Sequence, residues 1–369
     1  MKVNTISLNS VRLNTIALNH IGEIRSGGGG SKPSPIPQWI REHIVFYYDV
    51  KKQGATNETL KESAYLQDLS GKGRRMKLNN FLFAEMSGVG GYNDNFSNWR
   101  TDSNNGVVKI ESDSSIVIQS VKIEYRGVLY QDSAKKATLK CNITGITEEL
   151  KGKLIFRYTD AEGSKNITLE NGYFEFNSSE YEGLSGWYGF TSKQPIDNCN
   201  ITITQIPEYP GALVTDGVDD YGLVENLSSG VKMLFMTVNP IENFNSFKNY
   251  YSQMRNAANQ PFCVYSTPAG IAYNYSNLNG ITYIDGVLNE SIGCTKLWGL
   301  KHTITIVNDT VNPTNSGQPA FFSREEWRKG YYSKIAFYNS IAFDSIPTEA
   351  DGFTEQELID YVLTNIIGQ

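Results

Sequence analysis

The chain has 369 residues, a net charge of −6 and a charged fraction of 20%, which gives length enough for two or three separate cores. The acidic balance excludes a nucleic-acid partner, because no basic face stands ready to neutralise phosphates. No apolar run approaches the length of a membrane span, and the many Tyr, Phe, Gly and Asn residues favour strands and turns over helices.

Residues 1–25 contain a short repeat, NTISL, NSVRL, NTIAL and NHIGE, whose units start at Asn4, Asn9, Asn14 and Asn19. Apolar side chains recur at Val3, Ile6, Leu8, Val11, Leu13, Ile16, Leu18 and Ile21, with gaps that alternate between two and three. That spacing is neither a strand nor a helix period. Such a short repeat cannot close a core alone, so its Ile and Leu side chains are expected to bury against another chain. We read it as an anchoring and assembly arm. Asn and Ser interrupt the apolar residues too often for a secretory h-region, so synthesis in a cytoplasm is expected.

Residues 26–37 form a linker: Ser26 and four glycines give flexibility, and Pro33, Pro35 and Pro37 extend it stiffly. Strand patterns then appear at 45–50 and 81–84, separated by a turn-rich stretch with the basic string Lys72, Arg74, Arg75 and Lys77. The string reads as a solvated turn rather than a phosphate site. The Gly-rich stretch 86–92 is not a P-loop, since no Lys-Ser/Thr pair follows it. From 104 to 206 short alternating strands succeed one another, as at 107–110, 116–118, 137–141, 154–158 and 201–204. This pattern predicts a β-sandwich inserted into a body formed by 38–103 and 207–369. In the second part of the body, the stretch 231–238 is apolar on nearly both faces and predicts a central strand. The stretch 354–367 predicts the chain's one persuasive helix, with Thr354 as N-cap, Glu357 completing a capping box, and Leu358, Tyr361, Val362 and Ile366 on one face.

The chemistry-bearing residues are few. Three histidines, His20, His43 and His302, lie outside any G-x-S-x-G or H-E-x-x-H string. No strand carries the alternating carboxylates of a glycosidase, whose two acids must flank one bond. The protein is therefore expected not to be an enzyme. Asp216, Asp219 and Asp220 could offer oxygens to Ca²⁺ or could lock a turn, and the turn is the preferred reading, with no cofactor otherwise expected. Trp187 and Tyr188, held between glycines, could stack on sugar faces or could pack internally. Cys141, Cys199, Cys263 and Cys294 follow no metal spacing and are expected to be reduced and buried, although Cys141 with Cys199 and Cys263 with Cys294 would be the natural pairs.

Three strings carry a family resemblance. They are Asp68-Leu69-Ser70-Gly71-Lys72-Gly73 with Leu78-Asn79-Asn80-Phe81, then Met86-Ser87-Gly88-Val89-Gly90-Gly91-Tyr92, and the acidic turn at Asp216–Tyr221. The first and the third, together with 335–339 and 354–358 near the end, resemble concanavalin-like, laminin-G-like jelly rolls. The first two also resemble virion appendage proteins of the crAss-like phages that infect gut Bacteroides. The resemblance implies an all-β protein: a concanavalin-like jelly-roll sandwich with an inserted β-sandwich and a short N-terminal anchoring arm. It implies a structural head or tail fibre, or a capsid decoration protein, located in the virion. Capsid or tail proteins and further copies of itself, as a dimer or trimer, would be its partners. The β-domains would face outward, where host-surface glycans could be met. The alternative is a secreted bacterial cell-surface lectin.

Overall fold

The computed structural model describes residues 36–368 apart from 228–229, 243–247, 254–261, 267–270, 275–280, 290–294, 297–298, 313–318, 324–330 and 347–353. The arm and its eight apolar positions lie outside the described residues, as do Cys294, Trp298 and Trp327. The described chain is all-β, built from four antiparallel sheets.

Two eight-stranded sheets form the body. The first runs in the order Val287–Leu288, Ile281–Ile284, His302–Asn312, Val231–Pro240 and Ile335–Phe343. Beyond Ile335–Phe343, Ile44–Asp49 and Leu213–Val214 share its outer edge, and Gly88–Val89 follows Leu213–Val214. The second runs Tyr65–Leu66, Met76–Asn79, Tyr221–Val224, Ala320–Phe321, Lys248–Gln253, Phe262–Ser266, Ile271–Asn274 and Thr295–Lys296. Between the sheets lies an aromatic core centred on Phe321. Its ring sits 5.0 Å from Tyr251, 5.6 Å from Phe337 and 5.9 Å from both Phe46 and Tyr48, mostly edge to face.

Val231–Pro240 is central, as its pattern predicts. Leu234, Met236 and Val238 enter the core between the sheets. Met233 and Phe235 are buried on the opposite face, where Phe235 meets Phe343. The C-terminal helix, Glu355–Tyr361 continuing as wider turns through Val362–Ile367, is anchored to this sheet. Thr354 Oγ1 accepts from the Glu357 N–H at 3.2 Å while Glu357 Oε2 accepts from the Thr354 N–H at 2.8 Å. Leu358, Ile359, Val362 and Ile366 are buried, the Tyr47 hydroxyl donates to the Ile366 carbonyl, and the Tyr283 hydroxyl donates to Glu355.

The other two sheets have five strands each, all drawn from Arg100–Gln205. One is ordered Gly163–Thr168, Leu154–Asp160, Trp187–Ser192, Leu129–Asp132, Arg100–Thr101. The other is ordered Gly172–Asn177, Thr138–Thr144, Ile201–Gln205, Ser115–Val121, Gly106–Ser112. Among the described residues these strands pair only with one another, and they enclose their own core around Phe156, Phe176 and Phe190. The expected change of module at 103 comes too late. Arg100–Thr101 pairs with Leu129–Asp132, and Phe96 and Trp99 are already in this core. The 3₁₀ turn at Phe96–Asn98 seats both rings, and its polar Asn/Ser composition concealed that role.

The expected strand at 81–84 is also corrected. This segment is a tight turn in which Asn80, Phe83 and Glu85 adopt left-handed backbone. Phe81 and Phe83 both turn into the core and stack at 5.7 Å. Successive strand side chains point to opposite faces, so an apolar stretch that buries both i and i+2 around a turn mimics a strand in sequence.

Candidate functional site

The three strings that carry the resemblance serve the fold directly. The Asp68 carboxylate accepts from the backbone N–H groups of Tyr47, Ser70 and Arg74, each at 3.0 Å, and so pins the turn to the strand Ile44–Asp49. Arg74 is buried and donates to the Val45 carbonyl at 2.6 Å. Lys72 reaches the Glu42 carbonyl, and Arg75 pairs with Glu225 while lying over the Tyr65 ring. Lys72, Arg74 and Arg75 are thus engaged by groups of the protein itself.

The acidic turn sits where the other strings converge. Ser87 donates to Asp220 Oδ1 at 3.1 Å, and Asn80 Nδ2 donates to the Asp219 carbonyl at 3.1 Å. Asp220 Oδ2 accepts from the Asp216 N–H at 2.8 Å, and Asp216 Oδ1 accepts from the N–H groups of Val218 and Asp219. Carboxylate oxygens of Asp216, Asp219 and Asp220 lie within 4.8 Å of one another. Asp220 is fully buried, and burial, helped by the charges of Asp216 and Asp219, pushes its carboxyl up to about 7 against the pull of its hydrogen bonds. Ca²⁺ takes about six to eight oxygens, and here it would compete with the Ser87 hydroxyl and the Asp216 N–H for the two oxygens of Asp220, and with backbone N–H groups for one oxygen of Asp216. The donor set fits a self-contained turn lock better than an ion cage.

The aromatic candidates separate. Tyr188 is fully buried in the inserted core, and its hydroxyl donates to the Lys135 carbonyl at 3.0 Å, so it presents no face to a glycan. Burial pushes that hydroxyl above its ordinary range. Of the two readings, Tyr188 takes internal packing; alternation along Trp187–Ser192 turns one neighbour in and the other out. Trp187 is half-buried and meets Tyr130 edge-on at 5.7 Å.

Cys141 and Cys199 are buried free thiols, and burial raises both above the ordinary thiol range. The side chain of Cys263 lies outside the described residues. Folding also gathers a Ser, a His and an Asp that sequence reading left apart. Ser345 Oγ lies 2.6 Å and Asp344 Oδ1 3.2 Å from His43 Nδ1. Both partners meet the same ring nitrogen, whereas a proton relay needs the serine on one nitrogen and the carboxylate on the other. The cluster ties Ile44–Asp49 to the end of Ile335–Phe343 and is not a triad.

A polar cleft of about 200 Å³ escaped the sequence reading altogether. It is lined by Glu85, from the body, and by Asn93, Asp94, Asn98, Gln131, Lys135 and Lys136 of the inserted sandwich. Asp94 is partly buried and accepts from the Asn95 N–H at 2.7 Å, and its burial raises it above the usual carboxylate range. Gln131 is 3% exposed. The only signal in the sequence is polar density after the Gly-rich stretch, which any loop would share. No family model, curated protein or solved structure matches the chain.

Proposed function

We propose that the protein is a structural fibre or decoration protein of a phage virion. In this reading the N-terminal arm docks on capsid or tail proteins and on copies of itself, and the Gly/Pro linker holds the β-modules away from the shell. The two-sheet body is a concanavalin-like jelly roll, and the inserted sandwich faces outward, where it can meet host-surface glycans.

One observation supports it most. The chain enters and leaves the inserted sandwich side by side, with the N–H groups of Glu208 and Tyr209 donating to the carbonyls of Gly91 and Gly90 at 2.9 and 2.8 Å. A module hung on two adjacent strands can be displayed without disturbing its carrier, which suits an outward-facing appendage. Contacts across the junction stiffen it. Glu208 accepts from Asn93 and pairs with Lys140, both at 2.7 Å, and Lys61 lies 3.8 Å from Asp113.

The test is particle incorporation. The full chain is expected in purified virions at the surface, and a chain lacking residues 1–25 is expected to fold but stay off them. Normal incorporation of the truncated chain would sink the anchoring reading. Its recovery from bacterial envelopes in place of particles would favour the cell-surface lectin.

A further inference from the structure

The cleft between the body and the inserted sandwich has a composition that selects a ligand. Its two carboxylates, Glu85 and Asp94, are matched by two ammonium groups, Lys135 and Lys136. An anion would meet the carboxylates and a cation the lysines, so neither gains from the site as a whole. A neutral molecule dense in hydroxyl groups gains from both. Each hydroxyl can donate to a carboxylate and accept from an amide or ammonium. Asn98 and Gln131 supply amides to the same space, and Asn98 Nδ2 already orients Glu85 Oε1 at 3.3 Å.

The floor is built and only partly satisfied. The Gln131 carbonyl oxygen accepts from the Asp132 N–H at 3.1 Å, while its Nε2 reaches the Asn98 carbonyl only at 3.5 Å. A buried donor left this way costs free energy unless something completes its network. Clefts between modules are also where small ligands most often settle.

We propose that this cleft binds one neutral saccharide unit, with Glu85 and Asp94 accepting from its hydroxyls and Asn98, Gln131 and Lys136 donating to them. The proposal draws on the outward-facing reading only for the origin of the sugar, as part of a surface polysaccharide. Binding itself is a property of the isolated chain.

Saturation-transfer NMR on the full-length protein tests it. The probes are the methyl glycosides of glucose, galactose, mannose and N-acetylglucosamine, together with their disaccharides. At least one is expected to receive saturation. Lys136→Ala and Asn98→Ala, both at exposed positions, are each expected to weaken it roughly tenfold, the equivalent of about 1.4 kcal/mol, while leaving the dispersed amide spectrum of the folded chain in place. Trp187→Ala, outside the cleft, is expected to leave it unchanged. No transfer to any probe would overturn the proposal, as would transfer that both cleft variants retain or that Trp187→Ala abolishes. Absence of the protein from virions would overturn the appendage reading and leave this result standing.

Discussion

The Tyr209 N–H donates to the Gly90 carbonyl at 2.8 Å, and this bond joins the segment entering the inserted sandwich to the segment leaving it. Gly90 is in the left-handed region at φ 83°, and a Cβ there would lie 2.8 Å from the Pro207 Cβ. Its neighbour Gly91, at φ 58°, would place a Cβ 2.9 Å from Val214 Cγ2. The Gly-Gly pair is therefore required by the close passage of two chains.

Gly90→Ala tests that requirement. Forcing a side chain into a left-handed position costs about 1–3 kcal/mol, and the contact with Pro207 adds to it. Urea denaturation is expected to register a loss of at least that size, whereas Gly71→Ala, where a Cβ meets nothing within 4 Å, should lose only the backbone part.

The inserted sandwich should fold alone. Its strands pair among themselves and its core is its own, so a fragment of residues 92–207 is expected to give dispersed amide resonances and a cooperative melt. A fragment starting at 104 would lack Phe96, Trp99 and the edge strand Arg100–Thr101, and is expected to be markedly less stable.

Stability should fall between about pH 4 and pH 7 through Asp220. Its folded carboxyl is raised to about 7 from the ordinary 3.8, so the folded state holds the proton more tightly than the unfolded one. The resulting stabilisation is complete below the ordinary value and is lost as pH rises through about 7, at about 1.4 kcal/mol per unit of difference at most. Burial of Asp94 acts in the same direction. In Asp220→Asn, an amide can still accept from the Asp216 N–H and can donate to Ser87 Oγ. Thermal melts across this range are expected to lose much of their pH slope in that variant.

Added Ca²⁺ is expected to leave the melting temperature nearly unchanged, since both oxygens of Asp220 and one of Asp216 are engaged by Ser87 and the turn's own N–H groups. A specific site filled at a hundredfold excess over its Kd would add about 2.7 kcal/mol and raise the melting temperature visibly. Calorimetry with and without the ion decides between the two.

Much of the molecule could be read from residue order alone, because local physics set it. Alternation marked the strands, the run from Val231 marked a strand buried on both faces, and the Thr354 and Glu357 pair marked the start of the last helix. What folding alone decided are the contacts between segments far apart in the chain. Tyr188 became a core ring while Trp187 did not, Phe96 and Trp99 joined the inserted core, and Asn80 and Ser87 closed on the acidic turn about 130 residues away. The cleft brings Glu85 to Lys135 and Lys136 only because two modules meet there. Periodicity records which face of one element is apolar; it carries no record of which other element will cover it, and a site made between elements exists only once that choice is made.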